Sequence, residues 1–162
     1  MKYDFNYWQF SPENQYLDRK SARKRPSELL KHLIAFANAD GGQLIIGIED
    51  EKQDNIITGF KDGKAYPIDD FKKIDREMRD TPLDLSFEEI PVINHKGDDD
   101  LILVISVELS SNRVIAAPND EVYLRQGDES VKLSYEQRIQ LSYDKGQRFF
   151  EDEIIEDATL DD

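Results

Sequence analysis

The chain has 162 residues, 35 acidic against 21 basic side chains, a formal net charge of −14 and no cysteine. This length suits one domain with its own core, and the lack of cysteine excludes disulfides, thiolate catalysis and cysteine-ligated metal centres. The first residues do not form an apolar signal segment, and no apolar run approaches the ~20 residues that span a bilayer. We therefore expect a cytoplasmic protein that does not enter a membrane.

Charge is distributed unevenly along the chain. Residues 151–162 hold seven acidic residues and no basic one, so we expect a domain over 1–148 followed by a flexible acidic tail or linker over 149–162. Residues 19–31 hold six basic residues against Glu28 alone. This segment predicts a basic surface patch of the kind that binds phosphates. A solvated loop leading into a helix would have the same composition.

Residues 1–12 form an aromatic N-terminal arm. Tyr3, Phe5 and Tyr7 alternate with other residues, which is the period of a half-buried strand or an extended segment. Packing against the domain is the simpler interpretation of these rings. Stacking on bases or a dimer contact is the alternative.

The remaining elements are predicted from apolar periodicity and from glycine, proline and capping signals. We expect helices at 26–38, 68–79 and 134–146, and strands at 16–21, 43–48, 56–58, 85–93, 101–107 and 121–125. The order of these elements does not repeat a βαβ unit. It predicts an α+β fold in which a mixed, mostly antiparallel sheet packs against about three helices.

Several familiar catalytic sites are excluded by the sequence. Segment 59–65 has too few residues between its glycines for a phosphate loop and ends in Ala65 instead of Ser or Thr, so it is interpreted as a turn. The only histidines, His32 and His95, lie in different predicted elements, which excludes a multi-histidine zinc site and favours surface positions for both. The serine-hydrolase Gly-x-Ser-x-Gly motif is absent.

Carboxylates beside the basic segment are the remaining candidates for chemistry. Glu13 and Asp18 precede the first long helix, and Glu49 and Asp50 follow an apolar strand. Oxygen ligands of this kind bind Mg²⁺ or Mn²⁺ against a phosphodiester. Acidic residues are frequent in this chain, however, and polar strand ends would give the same pattern.

Three segments together resemble the Schlafen AlbA-type domain. They are ENQYLDRK at 13–20, HLIAFANADGGQLIIGIED at 32–50 and VYLRQGDES at 122–130. The family shows a Glu, a second acidic residue near a Lys, Ala-Phe-Ala-Asn with a Gly-Gly pair, Gly-Ile-x-Asp, and later Tyr-x-Arg-x-Gly. The resemblance spans about residues 13–146 and implies a Schlafen AlbA-type fold.

The resemblance implies a DNA-binding module, often found at the N-terminus of bacterial transcriptional regulators that continue into further C-terminal domains. No cofactor is needed for such binding, and the partner is DNA or RNA. Phosphate contacts are expected from six cations, namely Lys20, Arg23, Lys24, Arg25, Lys31 and Arg125.

An alternative implied by the resemblance is RNA cleavage. Some Schlafen proteins of animals are metal-dependent RNases that use three acidic residues, which match Glu13, Asp18 and Asp50 here, with Mg²⁺ or Mn²⁺ as the cofactor. Asp18 stands where the family commonly has Glu, and those nucleases pair two modules, so a homodimer would be needed. A third hypothesis is a protein-interaction scaffold whose acidic surface repels nucleic acid.

Overall fold

The computed structural model describes residues 4–78 and 81–146. Its elements in chain order are α1 (Phe5–Phe10), β1 (Leu17–Lys20), α2 (Pro26–Asn38), β2 (Gly42–Ile46), α3 (Ile68–Lys72), β3 (Leu85–Ile93), β4 (Asp99–Val107), β5 (Tyr123–Gln126) and β6 (Glu129–Lys132). A further helix, α4, crosses residues 135–146. The predicted acidic tail lies outside the described residues.

The main sheet has the order β1-β2-β4-β3, and β5 with β6 forms a separate hairpin. β1 and β2 are parallel, whereas β2 with β4 and β3 with β4 are antiparallel. Because a parallel pair needs a crossover connection, α2 lies between β1 and β2 along the chain. The prediction of an α+β fold with a mixed, mostly antiparallel sheet is confirmed.

Apolar side chains cover both faces of the main sheet. On one face Leu44 and Ile46 of β2 join the core cluster formed by the buried side of α2. On the other face Ile45 packs with Leu17 and the buried ring of Trp8 from α1. The central strands are therefore buried on both sides, as their nearly continuous apolar sequence predicts.

The aromatic arm is a short helix, so the prediction of a strand or extended segment is wrong. The Asp4 carboxylate caps it by accepting from the Tyr7 N–H at 2.9 Å. The Arg19 side chain caps the other end and donates to the carbonyls of Tyr7, Trp8 and Ser11. The contacts from Arg19 outweigh the period-2 pattern of the rings, because a helix this short depends on its packing.

Some other boundaries differ from the prediction. Residues 56–58 contribute one isolated bridge, Ile57 to Ile48, instead of a strand. The helix predicted over 68–79 ends at Lys72, and β6 was not predicted. In contrast, the capping box at the start of α4 is confirmed. The Gln137 side chain accepts from the Ser134 N–H at 2.8 Å, and the Gln137 N–H donates to the Ser134 hydroxyl at 3.2 Å.

Within the described part of the chain, no helix has the length and apolarity to cross a bilayer.

Candidate nucleic-acid interface

Arg125, predicted as a phosphate contact, is buried in the junction between the β5–β6 hairpin and β1. Its side chain is 0% exposed, and its guanidinium lies 4.8 Å from the centre of the Phe36 ring. The guanidinium donates to the Asp18 carboxylate at 2.7 Å, to the Ser130 hydroxyl, and to the carbonyls of Leu17, Asn14 and Gly127. A phosphate cannot reach these N–H groups as they are arranged here, so Arg125 is not one of the exposed cations.

Asp18 is the acidic centre of this junction. Its side chain is 2% exposed, and it lies 3.4 Å from Lys20 Nζ and 3.6 Å from His32 Nδ1 in addition to its contact with Arg125. Among the described residues its Oδ1 atom accepts no hydrogen bond. Asp18 is thus surrounded by cationic and imidazole groups, which stabilise its charge inside the protein.

His32 is a member of the same buried cluster, so its predicted surface position is wrong. Its Nδ1 lies 2.8 Å from the Ser130 hydroxyl. Burial lowers the pKa of His32 to about 4, against the opposing effect of the Asp18 charge. His32 is therefore neutral at pH 7. The sequence signal for this role was the position of His32 on the helix, four residues before Phe36, which packs on Arg125.

Glu13 and Asp50, the other two predicted metal ligands, border a common cleft of about 340 Å³. Burial, followed by the neighbouring charge of Asp18, raises the pKa of the Glu13 carboxyl. In the described ranges, however, no group of three or more histidine and acidic side chains is placed to hold a metal ion. Because Asp18 is turned toward Arg125, the three carboxylates as arranged here do not fit a shared Mg²⁺ or Mn²⁺ ion.

The middle of the basic segment 19–31 forms the short connection from β1 to α2, here called loop 21–25. Arg23, Lys24 and Arg25 are all exposed on it, and Lys31 is exposed one turn into α2. The loop has a fixed shape, because the Lys24 N–H donates to the Ser21 carbonyl at 3.1 Å and Pro26 then begins the helix. Four of the six predicted cations are therefore exposed, three of them on one loop.

Arg19, Lys20 and Arg23 have partners within the protein. Lys20 is half-buried at the end of β1 beside Asp18, and Arg19 is buried against α1. Arg23 is exposed but ion-paired, since its Nε donates to the Asp62 carboxylate at 2.5 Å. Sequence reasoning missed Asp62, whose only signal was its place between two lysines in a segment interpreted as a turn.

Comparisons with known proteins identify a family and a similar fold. The sequence profile of the family described as Schlafen, AlbA_2 matches residues 13–134. A crystal structure of the DIP2311 protein from Corynebacterium diphtheriae has a TM-score of 0.51 and 22% sequence identity, and the match covers 74% of this chain and 26% of that chain. That likeness concerns the fold alone, and this chain spans about a quarter of the DIP2311 chain.

No curated protein matches the chain. The family match includes β1, loop 21–25, α2, β2 and the β5–β6 hairpin, which are the elements that build the basic surface and the Asp18 junction. A nucleic-acid-binding domain is the coarse function that this match supports. The chain belongs to the Schlafen AlbA_2 family.

Proposed function

We propose that this chain is a DNA-binding module that holds the phosphate backbone on loop 21–25 and the first turns of α2. One observation carries the proposal: three consecutive exposed cations, Arg23, Lys24 and Arg25, lie on a loop of fixed shape in a chain with a net charge of −14. In so acidic a protein, an uninterrupted basic stretch on the surface creates a local site for polyanions.

The position of the loop adds to its charge. It leads directly into the N-terminus of α2, where the helix dipole favours anions, but Pro26 has no N–H to donate there and the acidic Glu28 lies in the same turn. Lys31 is also exposed, farther along the helix. Contacts of this kind fix a protein on DNA without reading its sequence, so we expect target choice to come from dimer spacing or from further domains.

This division of labour suits a transcriptional regulator in the bacterial cytoplasm, in which the present module supplies affinity and another part of the protein supplies specificity. A homodimer would double the number of phosphate contacts. The affinity of two linked modules then exceeds that of one without any new type of contact.

The test measures binding of a labelled DNA duplex by fluorescence anisotropy between 50 and 200 mM salt. The Lys24→Gln/Arg25→Gln variant is expected to lose about tenfold in affinity or more and to flatten the salt slope by about 2, since each lost phosphate contact removes ~0.9. The charge-matched control is Lys72→Gln/Lys132→Gln, because those lysines are ion-paired to Glu89 and Glu121. Absence of binding by the wild-type chain at 50 mM salt would contradict the proposal.

The RNA-cleavage hypothesis is tested in parallel with transfer RNA and Mn²⁺. Because Asp18 is bound by Arg125, we expect the RNA to be shifted but not cut. Cleavage that disappears in Asp50→Ala while binding persists would favour the nuclease instead. A chain that neither binds nor cleaves would favour the scaffold hypothesis.

A further inference from the structure

Segment 59–66 is held against loop 21–25 by two contacts. The Tyr66 N–H donates to the Ala22 carbonyl at 2.8 Å. The Asp62 carboxylate accepts from Arg23 Nε at 2.5 Å, and its other oxygen accepts from the Lys64 N–H at 2.9 Å. Backbone and side chain therefore join the two loops into one surface, on which Lys64 lies next to the cations of loop 21–25.

The other end of segment 59–66 is fixed by the buried carboxylate of Asp100. This carboxylate accepts from the N–H groups of Phe60 at 2.8 Å and Lys61 at 3.3 Å. Gly59 makes the approach possible, because its φ is +63° and an added Cβ would lie 2.2 Å from Asp100 Oδ2. The backbone that carries Lys61 is thus held in one place.

Asn94 connects Asp100 to a third loop, residues 94–97. Its side-chain amide donates to Asp100 Oδ2 at 3.0 Å, and its side-chain carbonyl accepts from the Lys96 N–H at 2.9 Å. The His95 N–H also donates to the Ile57 carbonyl at 2.8 Å. Through these bonds Lys96 is positioned beside segment 59–66.

The three loops together carry six exposed cations against one carboxylate, that of Asp62; the cations are Arg23, Lys24, Arg25, Lys61, Lys64 and Lys96. The Lys64 N–H, then Arg23 and Lys96, lower the pKa of Asp62, which agrees with a carboxylate placed among positive groups. Asp98 and Asp99 follow the third loop directly and limit the surface on that side.

We propose that the phosphate-binding surface continues from loop 21–25 across Lys61 and Lys64 to Lys96, and that Asp62 weakens it by occupying the guanidinium of Arg23. The proposal rests on the proposed function and extends it to two further loops. Its ligand is the phosphodiester backbone of DNA.

The Arg23–Asp62 pair can exchange its partner. The Arg23 side chain is 49% exposed and that of Asp62 is 15% exposed, so water reaches the pair through Arg23, and ion pairs that water screens contribute little to stability. A phosphate accepts the same N–H bonds from a guanidinium as a carboxylate does. DNA therefore has to displace the Asp62 carboxylate from Arg23 before this cation contributes.

The test measures DNA affinity on the same duplex at 100 mM salt. The proposal predicts that removing the Asp62 charge tightens binding and that removing the lysines weakens it. Asp62→Asn keeps an oxygen for the Lys64 N–H but removes the charge, and it is expected to tighten binding about two- to fivefold. Lys61→Gln/Lys64→Gln is expected to weaken binding about tenfold and to flatten the salt slope by about 2, and Lys96→Gln to flatten it by about 1.

Each variant has a matched control. Asp120→Asn removes an exposed carboxylate that, like Asp62, is paired with an arginine, here Arg138, and should leave DNA affinity unchanged. Lys72→Gln/Lys132→Gln again controls for the lost lysines. The urea unfolding midpoint of every variant is compared with the wild type, so that a loss of folding is not mistaken for a loss of contacts.

Three outcomes separate this proposal from the one on which it rests. If Lys61→Gln/Lys64→Gln binds like the wild type while Lys24→Gln/Arg25→Gln loses affinity, the extension is wrong and the proposed function stands. If Asp120→Asn tightens binding as much as Asp62→Asn, net charge explains the effect and the role of Asp62 is wrong. If the wild-type chain does not bind DNA at all, both proposals fail.

Discussion

Arg125 and Asp18 form an ion pair in a region from which water is excluded. The two side chains are 0% and 2% exposed, and the guanidinium also donates to Ser130 and to backbone carbonyls. Inside a protein such a charge is tolerated only when it is paired and hydrogen-bonded. The Arg of the Tyr-x-Arg-x-Gly segment therefore connects the β5–β6 hairpin to the main sheet.

Replacing Arg125 with Met is expected to destabilise the protein by about 3–5 kcal/mol, because the Asp18 charge stays buried without its partner. Urea unfolding followed by circular dichroism measures this loss. The control, Arg138→Met, breaks the exposed pair with Asp120 and should change stability far less, because water screens that pair. Equal losses in the two variants would mean that the buried pair contributes no more to stability than the exposed pair.

A double-mutant cycle isolates the pair itself. Asp18→Asn removes the charge that Arg125 compensates, so the double variant Asp18→Asn/Arg125→Met should lose less stability than the two single variants added together. A coupling near zero would contradict the direct interaction that the 2.7 Å contact indicates.

The burial of His32 makes the stability of the protein depend on pH. Burial lowers its pKa from 6.5 to about 4, against the effect of Asp18; Lys20, Lys31 and Arg125 lower it further. Between these values the unfolded chain binds a proton that the folded chain does not. Neutral His32 therefore contributes fully to the free energy of unfolding above pH 6.5. This contribution is lost as the pH falls to about 4, and the loss is about 3 kcal/mol at most.

The measurement compares the free energy of unfolding of the wild type and of His32→Gln from pH 4 to pH 7.5. Glutamine keeps a hydrogen-bonding group near Ser130 but does not titrate. The wild type should lose more stability than the variant over this range. Identical pH profiles would mean that His32 titrates normally in the folded protein.

At the scale of elements, the sequence predicts what local signals specify. The helix over 26–38 and the strand over 85–93 agree with the structure residue for residue, because apolar spacing, Pro26 and flanking turns act within each segment. α1 was mispredicted because the contacts at its C-terminal end come from Arg19 on β1. Tertiary contacts of this kind leave no local pattern.

Some features of the candidate site are likewise evident from the sequence, and others depend on tertiary contacts. The basic character of loop 21–25 is evident from composition, since its cations are consecutive. The partnership of Arg23 with Asp62, 39 residues away, depends on the folded chain. The same holds for Arg125, which looks like a surface cation in sequence and becomes buried only when the hairpin meets β1.

Segment 59–66 gives a prediction for a single element with an internal control. In Gly59→Ala the added Cβ meets the Asp100 carboxylate and the backbone must keep a φ of +63°, so we expect a loss of about 2–4 kcal/mol. In Gly63→Ala no described atom beyond the two chain neighbours lies within 4 Å of the added Cβ. That variant should be neutral or up to about 1 kcal/mol more stable.

Thermal or urea unfolding compares the two glycine variants directly. The proposed DNA surface supplies a second measurement, because a displaced segment would move Lys61 and Lys64 and lower affinity in Gly59→Ala. If Gly59→Ala were as stable as Gly63→Ala, the contact between Gly59 and Asp100 would not constrain the loop.

At the scale of the whole molecule, basic loops have to attract a polyanion despite a net charge of −14. Half of that charge belongs to the seven acidic residues of 151–162. Long-range repulsion between like charges is weakened by salt, with a Debye length of about 10 Å at 0.1 M. Overall acidity is therefore expected to oppose binding most strongly at low ionic strength.

Removing residues 151–162 is expected to tighten DNA binding several-fold at 50 mM salt and to have little effect at 200 mM, since screening already suppresses the repulsion there. Fluorescence anisotropy at both salt concentrations checks this. Replacing the seven acidic residues with Asn and Gln at constant length is the control for chain length. Unchanged affinity at 50 mM salt would show that the C-terminal acidity does not regulate binding.

The buried ion pair also affects how the protein is made. Asp18 leaves the ribosome 107 residues before Arg125, although β1, α2 and β2 are complete by Ile46. Until β5 emerges, burying β1 would enclose a carboxylate without its guanidinium, which is unfavourable. We therefore expect the first half of the nascent chain to stay loosely packed and open to chaperones and proteases until β5 emerges and the whole domain can fold.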